Sequence, residues 1–167
     1  MQATAAVGSA YFFLPIASAD AVYRERVYCY ELYHQLRMRW NAIPKLQGLS
    51  ISGEVDKAGH PLFDRGAHYK PDFLVHEPGS MNRNTVVVEV KPSTAGWADL
   101  RADLRKLAWF CSDKQYREGI LLVYGTDDGG LVARIQQAVA ATESDLTRVA
   151  VLHHERPGHS ACLLTFL

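Results

Sequence analysis

Two short segments constrain the fold of this chain more than any other part of the sequence. Residues 71–75 (Pro-Asp-Phe-Leu-Val) and 86–91 (Val-Val-Val-Glu-Val-Lys) are rich in apolar and β-branched residues, which is typical of strands. The residues between them, 77–84, are polar and contain Pro, Gly and Asn, which favours a hairpin loop. Antiparallel pairing about the middle of that loop predicts that Asp72 lies opposite Glu89.

This register brings charged side chains together on one face of the hairpin. Because side chains alternate along a strand, Glu89 and Lys91 share a face, about 7 Å apart, with Asp72 beside them. The opposite face is predicted to carry Val86, Val88 and Val90. Three charges on such an apolar hairpin are costly to bury unless they are paired or bind a cation. The pattern therefore predicts a metal site.

Composition sets the size and class of the protein. A chain of 167 residues, 48% of them hydrophobic, is the size of one domain, so residues 1–167 are expected to form a single domain. Basic and acidic residues are equal at 18 each, so overall charge gives no support for a nucleic-acid partner. The cysteines form no C-x-x-C pair, which indicates free thiols in a cytoplasmic protein: Cys29, Cys111 and Cys162. The apolar N-terminal residues lack a basic region, and neither a signal peptide nor a membrane span is expected.

The remaining periodicity predicts the element order αβββαβαββ. Helices are expected at 20–39, with Asp20 as the N-cap, and at 97–112 and 130–141. Strands are expected at 48–56, 69–76, 85–91, 119–124, 148–153 and 161–166. This order predicts an α/β fold in which helices flank a mixed central sheet.

The motif residues and their context resemble a known superfamily. Pro71-Asp72, a gap, and Glu89-Val90-Lys91 on the next strand, with a Glu-bearing helix ahead, resemble the PD-(D/E)XK nucleases, which have the restriction-endonuclease-like fold. The resemblance covers about residues 31–124 and includes the αβββαβ core order. Residues 30–36 resemble the first helix of Holliday-junction-resolvase-like members, which carries a metal-site Glu. The resemblance implies a hydrolase that cleaves nucleic acid, namely a metal-dependent endonuclease acting on the phosphodiester bonds of DNA.

The resemblance also assigns roles to individual residues. Asp72, Glu89 and the Val90 carbonyl are the expected ligands of Mg²⁺ or Mn²⁺, because Mg²⁺ prefers oxygen ligands and keeps several waters. Lys91 is expected to act on the attacking water and to offset charge in the transition state. Glu31 is expected to complete the catalytic and metal site.

The fourth residue of the site is less constrained by the sequence. Glu31 lies within an aromatic and apolar stripe of the first helix, where a carboxylate needs a partner. A metal ion or Lys91 would supply that partner, and pairing with Arg24 or Gln35 is the alternative. Glu54, on or near the first strand, is the other candidate for this role.

Further residues and alternatives complete the sequence-based hypothesis. The predicted phosphate contacts with DNA are Arg101, Arg105 and Lys106. The spacing of His153, His154, Glu155 and His159 matches no standard zinc motif, so these residues are assigned to a strand and a hairpin tip. The alternative function is a catalytically silent nuclease-like module that binds nucleic acid or a partner protein. A homodimer, or a partner protein that confers specificity, is compatible with so short a chain.

Overall fold

The computed structural model describes residues 2–53 and 69–167. The helices are α1 (Gln2–Ala5), α2 (Ser9–Phe12), α3 (Glu25–Trp40), α4 (Trp97–Asp113) and α5 (Leu131–Ala140), with a 3₁₀ turn at Pro44–Leu46. The strands are β1 (Leu14–Ile16), β2 (Ala19–Val22), β3 (Ser50–Gly53), β4 (Phe73–His76), β5 (Val86–Pro92), β6 (Glu118–Tyr124), β7 (Val149–His154) and β8 (Cys162–Phe166). Glu54 lies outside the described residues, as does the end of the strand predicted at 48–56.

The central element is a mixed sheet of six strands, β3 to β8, which lie side by side in chain order. β3, β4 and β5 pair antiparallel, β5, β6 and β7 pair parallel, and β8 returns antiparallel to β7. Parallel neighbours need long crossover connections, and α4 and α5 supply them. β1 and β2 form a separate hairpin. The predicted α/β class with a mixed sheet is therefore confirmed.

The β4–β5 hairpin has the predicted register. Phe73 pairs with Val88 and Leu74 pairs with Val87, so the same register, extended by one residue, sets Asp72 opposite Glu89. The two carboxylates therefore belong to one face of the hairpin, because directly opposed residues of an antiparallel pair point to the same side.

Helices cover both faces of the sheet, and the faces divide the hairpin side chains between two cores. The first core joins α4 and α5 to the sheet and contains Leu74, Val87, Leu104 and Leu131. The second joins α1, α2 and α3 to the sheet and contains Phe12, Tyr28, Phe73 and Val90, with Val86 and Val88 packed against it. Alternation along β5 then directs Glu89 to the α4 side, and Asp72 lies just before β4.

The N-terminal part of the chain differs from the prediction. The helix expected at 20–39 begins at Glu25, and Asp20 lies in β2 instead of capping a helix. The short helices α1 and α2 precede the β1–β2 hairpin and depend on distant contacts. For example, Thr4 Oγ1 accepts a hydrogen bond of 2.8 Å from the Ala161 N–H, just before β8. None of the described helices is long and apolar enough to cross a bilayer.

Candidate active site

The two predicted metal-binding carboxylates are neighbours at the end of the β4–β5 hairpin. Asp72 Oδ2 accepts a hydrogen bond of 2.7 Å from the Val90 N–H, which fixes this carboxylate against β5. Glu89 is only 1% exposed, and its Oε1 has no hydrogen-bond partner among the described residues. Val90, whose carbonyl was the predicted ligand, thus takes part in the site through its N–H.

Burial governs the ionisation of both carboxylates. It raises the pKa of Asp72 to about 6, although the hydrogen bond from the Val90 N–H lowers that pKa. Burial also raises the pKa of Glu89 well above its usual range, and the neighbouring carboxylates of Asp103 and Asp72 raise it further. A further cation would favour the charged form of both groups, because an opposite charge nearby stabilises an ionised carboxylate.

Two lysines face this acidic pair, and each lies between two carboxylates. Lys91 Nζ is 2.8 Å from Glu25 Oε2 and 3.3 Å from Asp103 Oδ2. Lys106 Nζ donates to Glu89 Oε2 at 2.7 Å and lies 3.3 Å from Asp103 Oδ1. Burial lowers the pKa of Lys91, but Asp103 and Glu25 more than offset this effect and the pKa is raised. Lys91 is therefore an ammonium ion at neutral pH.

We call these six side chains the charge cluster: Glu25, Asp72, Glu89, Lys91, Asp103 and Lys106. With every group ionised, the cluster carries four negative and two positive charges. In that state the lysines compensate only part of the negative charge. The predicted residues Asp72, Glu89 and Lys91 all belong to this cluster.

Glu31 has a different partner. Its Oε1 accepts a hydrogen bond of 2.7 Å from Gln35 Nε2, which is the alternative pairing that the sequence left open. The α3 carboxylate that contacts Lys91 is Glu25, the first residue of the helix. Sequence reasoning missed Glu25 because it began the helix at Asp20 and looked for the site residue near the helix centre.

Asp103 is the second residue of the cluster that sequence reasoning missed. It is 4% exposed and lies on α4, among the buried leucines Leu100, Leu104 and Leu107. A buried carboxylate needs a charged or hydrogen-bonding partner. An acidic residue within an apolar helical stripe was therefore the available signal.

A surface cleft reaches one side of the cluster. The cleft has a volume of about 350 Å³, and Asp72 forms part of its wall with Cys29, Tyr30, Tyr33, Gly53 and Phe73. Burial raises the pKa of the Cys29 thiol, so this cysteine is protonated at neutral pH and is a poor nucleophile. Asp72 therefore borders a cleft that is open to the surface.

The predicted DNA contacts have different surroundings. Arg105 is exposed on α4, where it can meet a phosphate. Arg101 is half-buried, and its Nε has no hydrogen-bond partner within the described ranges. Lys106, in contrast, is paired with Glu89 and belongs to the charge cluster. Its ammonium group therefore faces the carboxylates of Glu89 and Asp103.

His153 and His154, two of the residues considered as zinc ligands, form hydrogen bonds within the protein. His153 Nε2 lies 2.8 Å from the Gly125 carbonyl oxygen. His154 Nδ1 lies 2.7 Å from the Tyr28 hydroxyl, and burial lowers the pKa of His154 to about 4. His153 therefore links β7 to the residue that follows β6, and His154 links β7 to α3.

The residues present fit a magnesium ion with few protein ligands. Across residues 2–53 and 69–167, no group of three or more His, Cys, Asp or Glu side chains is arranged to hold a metal ion. Mg²⁺, however, is commonly bound by one or two carboxylates and keeps several waters. Glu89 Oε1 is a buried acceptor without a hydrogen bond, and a hard cation satisfies such an oxygen.

No protein-family model matches this chain, and no curated protein sequence matches it.

Proposed function

We propose that this protein is a metal-dependent nuclease that hydrolyses DNA phosphodiester bonds through Asp72, Glu89 and Lys91. The observation that carries the proposal is the hairpin register, which sets Asp72 opposite Glu89 and bonds Asp72 to the Val90 N–H at 2.7 Å. A chance occurrence of the short motif would not require both carboxylates and the lysine to meet in one cluster.

The element order supports the restriction-endonuclease-like part of the proposal. From α3 to β6 the chain runs helix, three antiparallel strands, helix and a strand parallel to β5. This is the αβββαβ order that the resemblance implies. Glu89 and Lys91 lie on β5, and Asp72 immediately precedes β4.

Asp72 and Glu89 are the residues that would hold Mg²⁺ or Mn²⁺, which would supply a more acidic water and neutralise charge on the phosphate. Within the protein, the Val90 N–H orients Asp72, and burial keeps competing water away from Glu89. Lys91 is an ammonium ion, so it acts as a cation that donates hydrogen bonds to water or to phosphate oxygens. It is not the general base of this proposal.

The DNA-binding part of the proposal depends on α4. Arg105 is exposed on the same helix that carries Asp103 and Lys106 of the charge cluster. A phosphate bound by Arg105 would lie on the helix that borders the site. Contacts of this kind position the backbone and carry no sequence information.

A binding module without cleavage activity is the second candidate. The observation that favours it is that both lysines of the charge cluster already contact carboxylates of the protein. A site in which both lysines are neutralised by carboxylates of the protein would have a structural role and no catalytic activity. The same assay separates the two candidates.

The test is cleavage of supercoiled, linear, single-stranded and branched DNA, with EDTA, Mg²⁺ or Mn²⁺. We expect cleavage of at least one form that requires the metal and is lost in Asp72→Asn. Asp99→Asn is the matched control, because Asp99 is an exposed acid on α4 outside the charge cluster. Metal-independent DNA binding with no cleavage of any form would refute the nuclease and support the binding module.

A further inference from the structure

Asp103 holds a central place in the charge cluster although it belongs to no motif. Its two oxygens face different lysines: Oδ2 lies 3.3 Å from Lys91 Nζ, and Oδ1 lies 3.3 Å from Lys106 Nζ. Asp103 Oδ2 has no hydrogen-bond partner among the described residues, so its link to Lys91 is an ion pair. Asp103 is the residue that joins the motif lysine to the lysine on Glu89.

The bridge restricts a side chain that is otherwise flexible. A lysine has a four-carbon stem and a compact ammonium group, so its position is set by the groups that surround it. Lys91 meets Glu25 from α3 on one side and Asp103 from α4 on the other. These helices pack on opposite faces of the sheet. The ammonium is therefore held between the two helical layers, at the end of β5.

A purely stabilising role explains this arrangement poorly. A buried ion pair gains little net stability, because removing its charges from water costs about as much as their attraction returns. Asp103 also adds negative charge beside Glu89, which makes ionisation of Glu89 harder. A residue placed there only for stability would more simply be apolar, like Leu104 next to it.

We propose that Asp103 is a positioning residue, which holds Lys91 toward the reacting phosphate and Lys106 on Glu89. This inference rests on the proposed nuclease function. It assigns Asp103 no contact with substrate or metal. Its effect on the reaction passes through the two lysines.

The first test compares the kinetics of Asp103→Asn with those of Asp99→Asn. Asparagine keeps the shape of the side chain and removes its charge. We expect kcat for DNA cleavage to fall about 10- to 100-fold in Asp103→Asn with KM little changed, as for other residues that orient a catalytic group. Asp99→Asn should match the wild-type protein. A variant that merely loosened the fold would lower the melting temperature as well.

The second test needs no cleavage. In ¹⁵N-lysine-labelled protein, an ammonium group held by ion pairs exchanges its protons slowly and gives an observable ¹⁵N–¹H signal. We expect the Lys91 signal, assigned with Lys91→Met, in the wild-type protein and in Asp99→Asn, and its loss in Asp103→Asn. If Asp103→Asn does not fold, Asp103→Asn/Lys106→Gln replaces it, since the double variant removes one charge of each sign.

Two results would overturn the inference. One is a kcat within about twofold of the Asp99→Asn control. The other is an unchanged Lys91 signal in the Asp103 variant. Failure of the proposed function is seen separately, as a wild-type protein that cuts no DNA, and the Lys91 signal then still decides whether Asp103 holds the lysine.

Discussion

Asp72 Oδ2 accepts a hydrogen bond of 2.7 Å from the Val90 N–H, so a carboxylate that precedes one strand is fixed to the backbone of the next. The bond sets the distance between the hairpin strands where β4 begins. It also orients Asp72 beside the buried Glu89. The conformation of the proposed site is therefore determined by the backbone pairing of the hairpin.

Replacing Asp72 should change how stability depends on pH. The folded-state pKa of Asp72 is about 6, above its ordinary value of 3.8, so the folded state binds the proton more tightly than the unfolded chain. The contribution of Asp72 to the free energy of unfolding therefore falls as pH rises from about 4 to about 6. Asp72→Asn removes this loss and should gain, relative to wild type, on the order of 3 kcal/mol over that window.

Urea denaturation in EDTA at pH 4, 5, 6 and 8 measures this difference. The Asp99→Asn control, whose acid is exposed, should show no such gain. An Asp72→Asn difference that is the same at pH 4 and pH 8 would contradict the raised pKa.

The two glutamates of α3 should respond differently to substitution. Glu25 contacts Lys91 at 2.8 Å, whereas Glu31 bonds to Gln35 at 2.7 Å. We expect Glu25→Gln to lower the cleavage rate about 10-fold, as for other groups that orient a catalytic residue, and Glu31→Gln to leave it nearly unchanged. Steady-state rates on one DNA substrate decide the matter. The reverse order would restore Glu31 as the fourth residue of the site.

Lys91→Gln should separate catalysis from metal binding. The lysine acts on water and phosphate in the proposed function, so cleavage should fall about 10²- to 10³-fold. Calorimetric titration with Mn²⁺ alone should give the wild-type affinity, because no ligand is removed. Lys114→Gln is the control, since Lys114 sits over the Trp109 ring at the other end of α4. Loss of Mn²⁺ binding in Lys91→Gln would show that the lysine is needed to form the metal site.

Arg105→Ala should weaken DNA binding without changing the rate at saturation. Each phosphate contact releases counterions, so the slope of log affinity against log salt should decrease by about 1. Arg117→Ala is the control, because this arginine is 79% exposed and lies just before β6. Filter-binding measurements at several salt concentrations give the slope. An unchanged slope would remove Arg105 from the DNA interface.

Gly125→Ala should destabilise the protein strongly. A Cβ at this position would lie 2.6 Å from Ser93 Oγ and 2.8 Å from Tyr23 Cζ, and the backbone φ is +115°. Gly129 also has a positive φ, +86°, but has open space around it. We expect Gly129→Ala to cost about 1 kcal/mol from backbone strain and Gly125→Ala about 2 kcal/mol more from overpacking. Equal losses in thermal denaturation would contradict this difference.

The hairpin and its register could be predicted because local patterns determine them. Apolar alternation, a polar loop and the position of the loop centre were sufficient to pair Asp72 with Glu89. The helix α4 was equally clear, since its leucines recur at helical spacing. These elements carry their structural information within a few neighbouring residues.

The N-terminal elements could not be predicted because distant residues stabilise them. α1 and α2 have four residues each, which is too short for a helix to be stable by itself. The start of α3 at Glu25 has no side-chain cap to indicate it. The partner of Lys91 was missed for this reason, since Glu25 meets it only through the packing of α3 on the sheet.

The hydrogen bond between the Ala161 N–H and Thr4 Oγ1 joins residues 157 positions apart in the sequence. Tyr28 of α3 likewise bonds to His154, 126 positions later. During synthesis at about 5–20 residues per second, the N-terminal helices therefore leave the ribosome many seconds before the strands on which they dock. Glu25 lies on α3, so the helix that carries this partner of Lys91 completes its contact with β7 only after nearly the whole chain has been translated.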